Sequence, residues 1–268
     1  MIVIGEKING SIPAVGKAIA ERNEAFIREL ARKQAEAGAA FIDVCASVAE
    51  DVELGTLEWL IGLVQGVTDV PVSIDSPSAK ICAEAVKFCK RPGLVNSVSM
   101  EGNKADTVFQ VIADSSWECV ALLSDDTGIP RTTEKRLEVF DALMEKAAQY
   151  KIAPRRLHID PLVEMLCTSE DGIEKVTRTM AAIKGKYPDI HLTGGASNIS
   201  FNLPARKFIN RAFLILSMGA GMDSAIIDPL NAEMIALIYA TEALLGKDEF
   251  CMEYIGAFRE GRFEKDKG

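Results

Sequence analysis

Carboxylate and amide side chains follow several of the short apolar runs in this sequence. The four that stand out are Asp75, Asn96, Asp160 and Asn198. Such groups can exchange hydrogen bonds with a neutral heterocycle that presents several N–H donors. The surrounding segments lack the basic and glycine-rich loops that phosphate groups require. The pattern therefore favours a polar ring, with the character of a pterin, as the ligand, although spacing alone does not single out a pterin.

Other polar residues occupy comparable positions after apolar runs. They are Glu6, Asp43, Asp126 and Ser197, with Asp228 before the last proline. A lone Asp or Asn at such a point is often a helix cap or a turn former, and this reading suffices for Asp43 or Asp228 taken singly. The argument for a site depends on the recurrence of such residues at successive positions.

The apolar runs alternate with amphipathic stretches about eight times, which is typical of βα units around a parallel sheet. The predicted strands are Ile2 to Ile8, Ala40 to Cys45, Val70 to Asp75, Leu94 to Val98, Cys119 to Ser124, Arg156 to Asp160, His191 to Gly195 and Ala225 to Asp228. A doubly wound sheet would usually carry an early glycine-rich phosphate loop, and none occurs. We therefore predict one α/β domain over residues 1–268, a (β/α)₈ TIM barrel whose site lies at the carboxyl ends of the strands.

Three local signals predict where helices begin. Thr132 is expected to cap a helix that contains Lys135. Pro229 is expected in the first turn of the last long helix. Thr168 and Asp171 together are similar to a capping box.

Charge and hydropathy exclude several classes of partner. The chain has 30 basic and 39 acidic residues, a formal net charge of −9. This balance disfavours nucleic acid and anionic membranes, which bind concentrated basic surfaces. No apolar run approaches the roughly 18 residues that span a bilayer, so we expect a cytoplasmic protein.

The cysteine and histidine content gives no pattern for a metal site. Six cysteines are scattered without a Cys-x-x-Cys pair, and the two histidines, His158 and His191, have no histidine three or four residues away. Reduced core thiols and chemistry without a protein-bound metal are expected.

Several segments resemble the methyltetrahydrofolate:corrinoid methyltransferase family, relatives of the folate domain of cobalamin-dependent methionine synthase and, more distantly, of dihydropteroate synthase. The resemblance spans nearly the whole chain, from IGEKING at the start to the last helix. The segments that carry it are SIDSP with Asp75, LVNS with Asn96, TGIP at 127–130, IDPL with Asp160, and GGASNISFNLPARKFINRAFL at 194–214. The last two together are fairly specific.

The resemblance implies a role for each matching residue. Asp160 and Asn96 would hold the pterin ring, and Asp75 would lie within hydrogen-bond or water-mediated reach of it. Asn198, next to Ser197, would contact the ring nitrogen that bears the methyl group, so Asn198 and Asp75 are the candidate catalytic residues. Arg206 matches a family arginine, which would either clamp a loop or contact the ligand.

The resemblance also implies the substrates and partners. Tetrahydrofolate or 5-methyltetrahydrofolate would bind to the barrel, and a corrinoid (methylcob(III)alamin or cob(I)alamin) would arrive on a separate corrinoid protein, because the chain has no Asp-x-His-x-x-Gly motif. Relatives pair through barrel helices, so the helix at Asn231 to Leu245 suggests a homodimer.

The chain departs from the family pattern at three points. Asp43-Val44-Cys45 replaces an Asp-x-Asn pattern, Ser99 stands where asparagine is common, and Asp125 with Asp126 makes the corrinoid-facing rim more acidic. The modified rim favours transfer from methylcorrinoid to tetrahydrofolate.

Three other interpretations remain open from the sequence. The first is an enzyme like dihydropteroate synthase, although Ser197-Asn198-Ile199 stands where that family has a Ser-Arg-Lys type motif. The second is a non-catalytic pterin-binding subunit. The third is a TIM-barrel enzyme for another polar heterocycle.

Overall fold

Eight parallel strands form one sheet in the computed structural model, which describes residues 1–169 and 171–263. The strands are β1 (Ile2–Asn9), β2 (Phe41–Cys45), β3 (Val72–Asp75), β4 (Leu94–Met100), β5 (Glu118–Asp125), β6 (Leu157–Asp160), β7 (His191–Leu192) and β8 (Ser224–Ile227). All eight coincide with predicted strands, apart from shifts at their ends. Residues 264–268 of the predicted domain lie outside the described residues, so its 1–268 boundary stays a prediction.

The sheet closes on itself to form a barrel. Each strand from β1 to β7 pairs in parallel with the next, and β1 also pairs with β8. The remaining seam is bridged where Gly195, just beyond β7, pairs with Ile226 of β8. The predicted (β/α)₈ barrel is confirmed.

Helices between the strands, and two more after β8, cover the outside of the barrel. They are α1 (Pro13–Ala20), α2 (Glu24–Glu36), α3 (Glu50–Gln65), α4 (Ala79–Ala85), α5 (Lys104–Ile112), α6 (Thr133–Gln149), α7 (Gly172–Lys186), α8 (Arg206–Gly219), α9 (Ala232–Leu244) and α10 (Met252–Arg259). Their buried faces pack against the outward residues of the strands in the main hydrophobic core. Within the described parts of the chain, none of the helices has the length and apolar character that crossing a bilayer would require.

One of the three helix-start predictions is confirmed, and two are wrong. The Thr132 hydroxyl accepts a hydrogen bond from the Lys135 N–H, as expected of an N-cap. Helix α9 begins later than predicted, because Asn231 caps it and Pro229 lies in the turn before the cap. The Thr168 hydroxyl bonds to the Met165 carbonyl instead of capping α7.

Inward-facing side chains form three layers because alternate residues of a strand point to the same side. The middle layer is an apolar cluster of Ile4, Phe41, Leu94 and Val120, all buried. Two residues further along β2 and β4, the same faces carry Asp43 and Asn96 at the carboxyl end of the barrel. The apolar layer therefore forms the floor of a polar mouth.

The opposite end of the barrel contains a second polar layer. The buried His158 ring bonds to the Ser224 hydroxyl (2.8 Å) and to the Glu118 carboxylate (2.7 Å), and it stacks on His191 at 4.7 Å between ring centroids. Both histidines thus lie at the amino end of the strands, and the apolar layer separates them from the mouth.

Candidate functional site

The first strand brings Glu6 into the mouth through an irregularity in its pairing with β2. The register shifts between Gly5 and Ile8, and the buried Gln34 side chain of α2 accepts the freed Lys7 N–H at 3.0 Å. A side chain at Gly5 would collide with Gln34, since a Cβ there would lie 2.6 Å from its oxygen. Burial, followed by repulsion from Asp228, raises the pKa of Glu6 to about 7.

Lys7 is the cation that accompanies Glu6 at the end of β1. Its ammonium group pairs with the Asp228 carboxylate, just beyond β8, at 2.9 Å. The charge of Asp228 is therefore matched across the β1–β8 seam, and Lys7 is already paired with a protein carboxylate.

The buried centre of the mouth is a hydrogen-bond network around Asp43. One Asp43 oxygen accepts from the Ser73 hydroxyl and, at 3.2 Å, from the Asn96 side-chain amide. Burial, reinforced by the nearby Asp75 charge, raises the pKa of Asp43 well above its usual range. Asp43 also hydrogen-bonds to Asp75. A protonated Asp43 that donates to the Asp75 carboxylate satisfies all of these contacts.

This network fixes the orientation of Asn96, whose position beside Asp75 follows from the β3–β4 register. Because its NH₂ group donates to Asp43, the amide oxygen is the group that Asn96 can offer to a ligand. Asp75 is less deeply buried and pairs in register with Cys45 of β2.

Cys45 occupies the position at which the sequence departs from the Asp-x-Asn pattern. The thiol lies 3.2 Å from the Ser47 hydroxyl and also bonds to Asp75. Burial, followed by the Asp75 charge, raises the pKa of the thiol to about 12. Cys45 is therefore a neutral hydrogen-bonding group at neutral pH and is poorly suited to act as a nucleophile.

Asp160 ends β6 and is 7% exposed. One of its carboxylate oxygens accepts the Leu162 backbone N–H at 2.8 Å. Burial raises its pKa to about 6, and the Leu162 bond opposes that rise. Asp160 is therefore mainly ionised at neutral pH, as a buried acceptor for N–H donors. Gly194 faces it, since a Cβ there would lie 3.7 Å from an Asp160 oxygen.

Asn198 lies in the loop after β7, at the exposed edge of the mouth. Its amide nitrogen would lie 3.0 Å from a Cβ on Gly195, a closer approach than side-chain contacts normally allow. Gly195 thus permits the amide to fold back over the backbone. The Arg206 guanidinium donates to the Ser197 carbonyl (2.7 Å) and to the Ser200 hydroxyl (3.0 Å). These contacts match the loop-clamp alternative for Arg206.

The acidic rim lies outside this network. Asp125 accepts hydrogen bonds from Thr127 and pairs with Lys135 at 3.5 Å, while Asp126 accepts the Gly102 N–H at 2.7 Å. Asp126 is exposed and joins the loop after β5 to the loop after β4, so it lies at the rim of the barrel. Ser99 is buried and accepts the Glu101 N–H.

Sequence analysis missed three side chains on which the site depends. Ser73 supports Asp43, Gln34 supports the irregular strand, and Lys7 neutralises Asp228. Ser73 could have been found, because it falls two residues before Asp75 on the same face of β3. Gln34 and Lys7 act through contacts between distant segments that no local pattern marks.

The family model described as pterin binding enzyme matches residues 16–228. The methylcorrinoid:tetrahydrofolate methyltransferase of Eubacterium limosum is 49% identical over 264 residues, which cover 98% of this chain and 97% of that protein. Methionine synthase of Mycobacterium leprae is 28% identical over 242 residues, covering 85% of this chain but only 20% of that longer protein.

Solved structures of dihydropteroate synthase share the fold. The enzyme from Clostridium difficile, solved in the presence of pteroic acid, superposes with a TM-score of 0.71 and 18% identity, covering 91% of this chain and 96% of that chain. A Yersinia pestis enzyme with a pterine-sulfa conjugate gives a TM-score of 0.67 and 16% identity, covering 91% and 94%. At these identities the likeness concerns the barrel and not the reaction.

The protonated state of Asp43 has a measurable consequence for stability. Burial raises the pKa of Asp43 in the folded protein, so over the pH range in which the folded protein holds a proton that the unfolded chain has released, this group destabilises the fold increasingly as pH rises. Asparagine has the same shape and needs no proton. We expect Asp43→Asn to gain unfolding free energy relative to the unaltered protein as pH rises from 5 to 8, by up to about 1.4 kcal/mol per pH unit.

The measurement is urea unfolding at both pH values. Asp43→Ala is the control, because it leaves Ser73 and Asn96 without their acceptor and should cost roughly 2 kcal/mol. A difference between Asp43→Asn and the unaltered protein that is the same at pH 5 and pH 8 would show that Asp43 is ionised throughout this range.

Proposed function

The chain belongs to the pterin-binding enzyme family, and from that membership we propose that it transfers a methyl group from a methylcorrinoid to tetrahydrofolate. The match is nearly end to end with a methyltransferase whose name specifies these two substrates. The structural observation that carries the proposal is the mouth itself, in which Asn96 and Asp160 offer buried acceptors and Asn198 lies at the exposed edge.

The pterin ring is proposed to bind with its aminopyrimidinone edge toward Asn96 and Asp160. Asp160 offers a carboxylate oxygen in a buried setting, where hydrogen bonds to an ionised group are strong. Asn96 offers its amide oxygen, because its NH₂ group is bonded to Asp43. Asp75, held by Asp43 and Cys45, supports the same edge directly or through water. These roles are proposals that the geometry supports.

Asn198 is proposed to act at the ring nitrogen that accepts the methyl group. In that step, the nitrogen lone pair attacks the methyl carbon, the cobalt–carbon bond breaks, cobalt(I) leaves with the bonding electrons, and the nitrogen gives up its proton to solvent. The Asn198 amide oxygen can accept the N–H and aim the lone pair toward the methyl group. In the reverse direction the NH₂ group can donate to the departing amine, and an amide needs no shifted pKa to do so.

The methylcorrinoid is proposed to arrive on a corrinoid protein that contacts the rim of the barrel. Large exposed apolar side chains occur on loops after β5, β6, β7 and β8: Ile129, Leu166, Phe201 and Leu230. A protein that presents a corrinoid to Asn198 must come close to these loops. Their apolar side chains and the exposed Asp126 form a mixed surface suited to a transient protein contact.

The rival functions differ in what they require of the loop after β7. A synthase like dihydropteroate synthase would need cations for a pterin diphosphate, whereas Ser197-Asn198-Ile199 carries none and Arg206 is bonded to Ser197 and Ser200. A non-catalytic pterin-binding subunit would have no use for an amide at the exposed edge. The methyltransferase accounts for both features.

The deciding experiment is an anaerobic assay of cobalt absorbance with methylcob(III)alamin and tetrahydrofolate, and then with cob(I)alamin and 5-methyltetrahydrofolate. We expect transfer in the first mixture. Asn198→Ala should lower the rate of the chemical step by roughly tenfold or more while folate affinity changes less, because the amide acts in the transition state. Asn202→Gly is the matched control, because Asn202 is an exposed amide in the same loop and glycine keeps its left-handed backbone conformation.

Either of two results would contradict this proposal. Absence of folate binding would remove the substrate. Folate binding without transfer, even when the corrinoid is held by a cognate corrinoid protein, would leave the non-catalytic subunit as the function.

The role of Asn198 is tested separately. An Asn198→Ala variant that loses folate affinity but keeps its rate of methyl transfer would make Asn198 a binding residue only.

Folate binding should weaken in acid through Asp160. As pH falls through about 6, Asp160 gains a proton and loses its charge, so it becomes a weaker acceptor. We expect calorimetric titrations to show tetrahydrofolate affinity that falls below this pH. Asp160→Ala should weaken binding by roughly 2 kcal/mol at pH 7.5 and remove this dependence.

Glu6→Gln is the matched control for the Asp160 experiment, because Glu6 also titrates in the mouth, at about 7. The acid limb, which is the fall in folate affinity below about pH 6, should persist in that variant. Unchanged affinity in Asp160→Ala would remove Asp160 from the site.

We also propose that the protein is a homodimer that pairs through a C-terminal apolar surface, defined here as Leu244, Phe250, Met252 and Phe258. These side chains lie at the end of α9, in the turn that follows, and on α10, and they are 62–86% exposed. Light scattering at micromolar concentration should give the mass of two chains, and Phe250→Asp should weaken the pair. Val111→Asp, on α5, is the control, and a monomer mass for the unaltered protein would contradict the proposal.

A cytoplasmic location stays a prediction. It is supported by the folate substrate and by the six cysteines, which are all free thiols in the structure.

A further inference from the structure

Arg136 of α6 is the largest fully buried side chain in the described part of the protein, with 0% exposure. Its Nε–H donates to the Pro161 carbonyl at 2.9 Å, and one terminal NH₂ group donates to the Leu162 carbonyl at 3.2 Å. The Glu164 carboxylate lies 3.8 Å away. Burying a guanidinium is costly unless its N–H groups are hydrogen-bonded, so the two carbonyls that it contacts are central to its effect on the structure.

The two carbonyls that Arg136 holds belong to the residues that directly follow Asp160. Leu162 has the left-handed backbone conformation, with φ of 60°. In that conformation its N–H points back and donates to the Asp160 carboxylate at 2.8 Å. Since the planar guanidinium engages two successive peptide groups, it fixes the direction of the N–H that orients Asp160.

The same segment also reaches the loop that carries Asn198. The Leu166 N–H donates to the Ile199 carbonyl at 2.9 Å, and the Cys167 thiol lies 3.7 Å from the Phe201 carbonyl. The loops after β6 and β7 are therefore joined by contacts to Ile199 and Phe201, which closely follow Asn198 in the chain. A displacement of the Pro161–Leu162 peptide would therefore affect both Asp160 and the loop that carries Asn198.

We propose that Arg136 is a positioning residue for the folate site, which holds the Pro161–Leu162 turn so that the Leu162 N–H aims the Asp160 carboxylate at the pterin and the attached loop keeps Asn198 in place. The inference rests on the proposed function, because it assumes that Asp160 receives folate. Arg136 touches neither substrate and acts through main-chain carbonyls 25 and 26 residues further along the chain.

The chain offers a matched control for this inference. Arg156 donates to the carbonyls of Trp117 (2.7 Å), Ala113 (3.3 Å) and Ile112 (2.6 Å). It is likewise an arginine that clamps the main chain, but it precedes β6 and so lies at the amino end of the barrel, away from the mouth. Losing it should affect stability without affecting the geometry of the folate site.

The experiment compares Arg136→Met, Arg136→Lys, Arg156→Met and the unaltered protein. Tetrahydrofolate binding is measured by calorimetry from pH 5 to 8, and thermal unfolding by circular dichroism. We expect Arg136→Met to weaken folate binding about tenfold or more at pH 7.5. Arg136→Lys should fall between, because an ammonium group keeps the charge but cannot span both carbonyls. Arg156→Met should lower the melting temperature and leave folate affinity unchanged.

A second readout separates positioning from general loosening. The strand neighbours of Asp160 keep it buried when the turn moves, so losing the Leu162 N–H removes the bond that holds its pKa down. The acid limb of folate binding should therefore move to higher pH in the Arg136 variants and stay in place in Arg156→Met. If Arg136→Met does not fold, Arg136→Lys provides both readouts.

The outcomes distinguish this inference from the proposed function. If the unaltered protein does not bind tetrahydrofolate, the proposed function fails. If it binds and the Arg136 variants bind equally well, or bind more weakly with an unmoved acid limb, Arg136 is a structural residue only and the inference is overturned. Equal losses of affinity in the Arg136 and Arg156 variants would overturn it as well.

Discussion

The apolar layer of Ile4, Phe41, Leu94 and Val120 is the constraint on which the rest of the molecule depends. Together with Ile2, Leu122 and Ile226, which pack against it, it forms an apolar cluster inside the barrel below the mouth. Carboxyl groups directly over this layer are poorly hydrated, and burial is accordingly the largest cause of the raised pKa values of Glu6, Asp43 and Asp160. Burial converts a collection of ordinary acids into groups with distinct protonation states.

The two sides of the mouth differ in how their polar side chains are held. Strands β2 to β4 supply one side, in which Asp43 is hydrogen-bonded to Ser73, Asn96 and Asp75. Strands β6 and β7 supply Asp160 and Asn198 through loops that are anchored to each other and to α6. In the proposed function, Asn96 of the first side and Asp160 of the second side hold the ring, and Asn198 of the second side acts at the ring nitrogen.

The parts of this arrangement that the sequence predicts are those with a local signature. Short apolar runs between amphipathic stretches mark the strands, and the residue that ends an apolar run lies at the mouth of a barrel, which is why Asp75, Asn96 and Asp160 could be selected. Gln34 and Arg136 could not, because each satisfies a main-chain group that is close only in the folded barrel. The Thr168 and Asp171 signal failed for the same reason, since the segment before α7 is organised by contacts with Arg136 and with the next loop. The protonation state of Asp43 likewise depends on burial by three other strands, which no spacing reveals.

The pairing of β1 with β8 has a consequence for how the protein is made. While the chain leaves the ribosome, one edge of β1 has no partner until residues 224–227 have been synthesised. That edge presents the backbone of Ile2, Val3 and Ile4, an apolar segment able to recruit a strand from another chain. A chain whose synthesis ends before residue 224 therefore keeps an open sheet edge that favours aggregation, even though the other seven strands are complete.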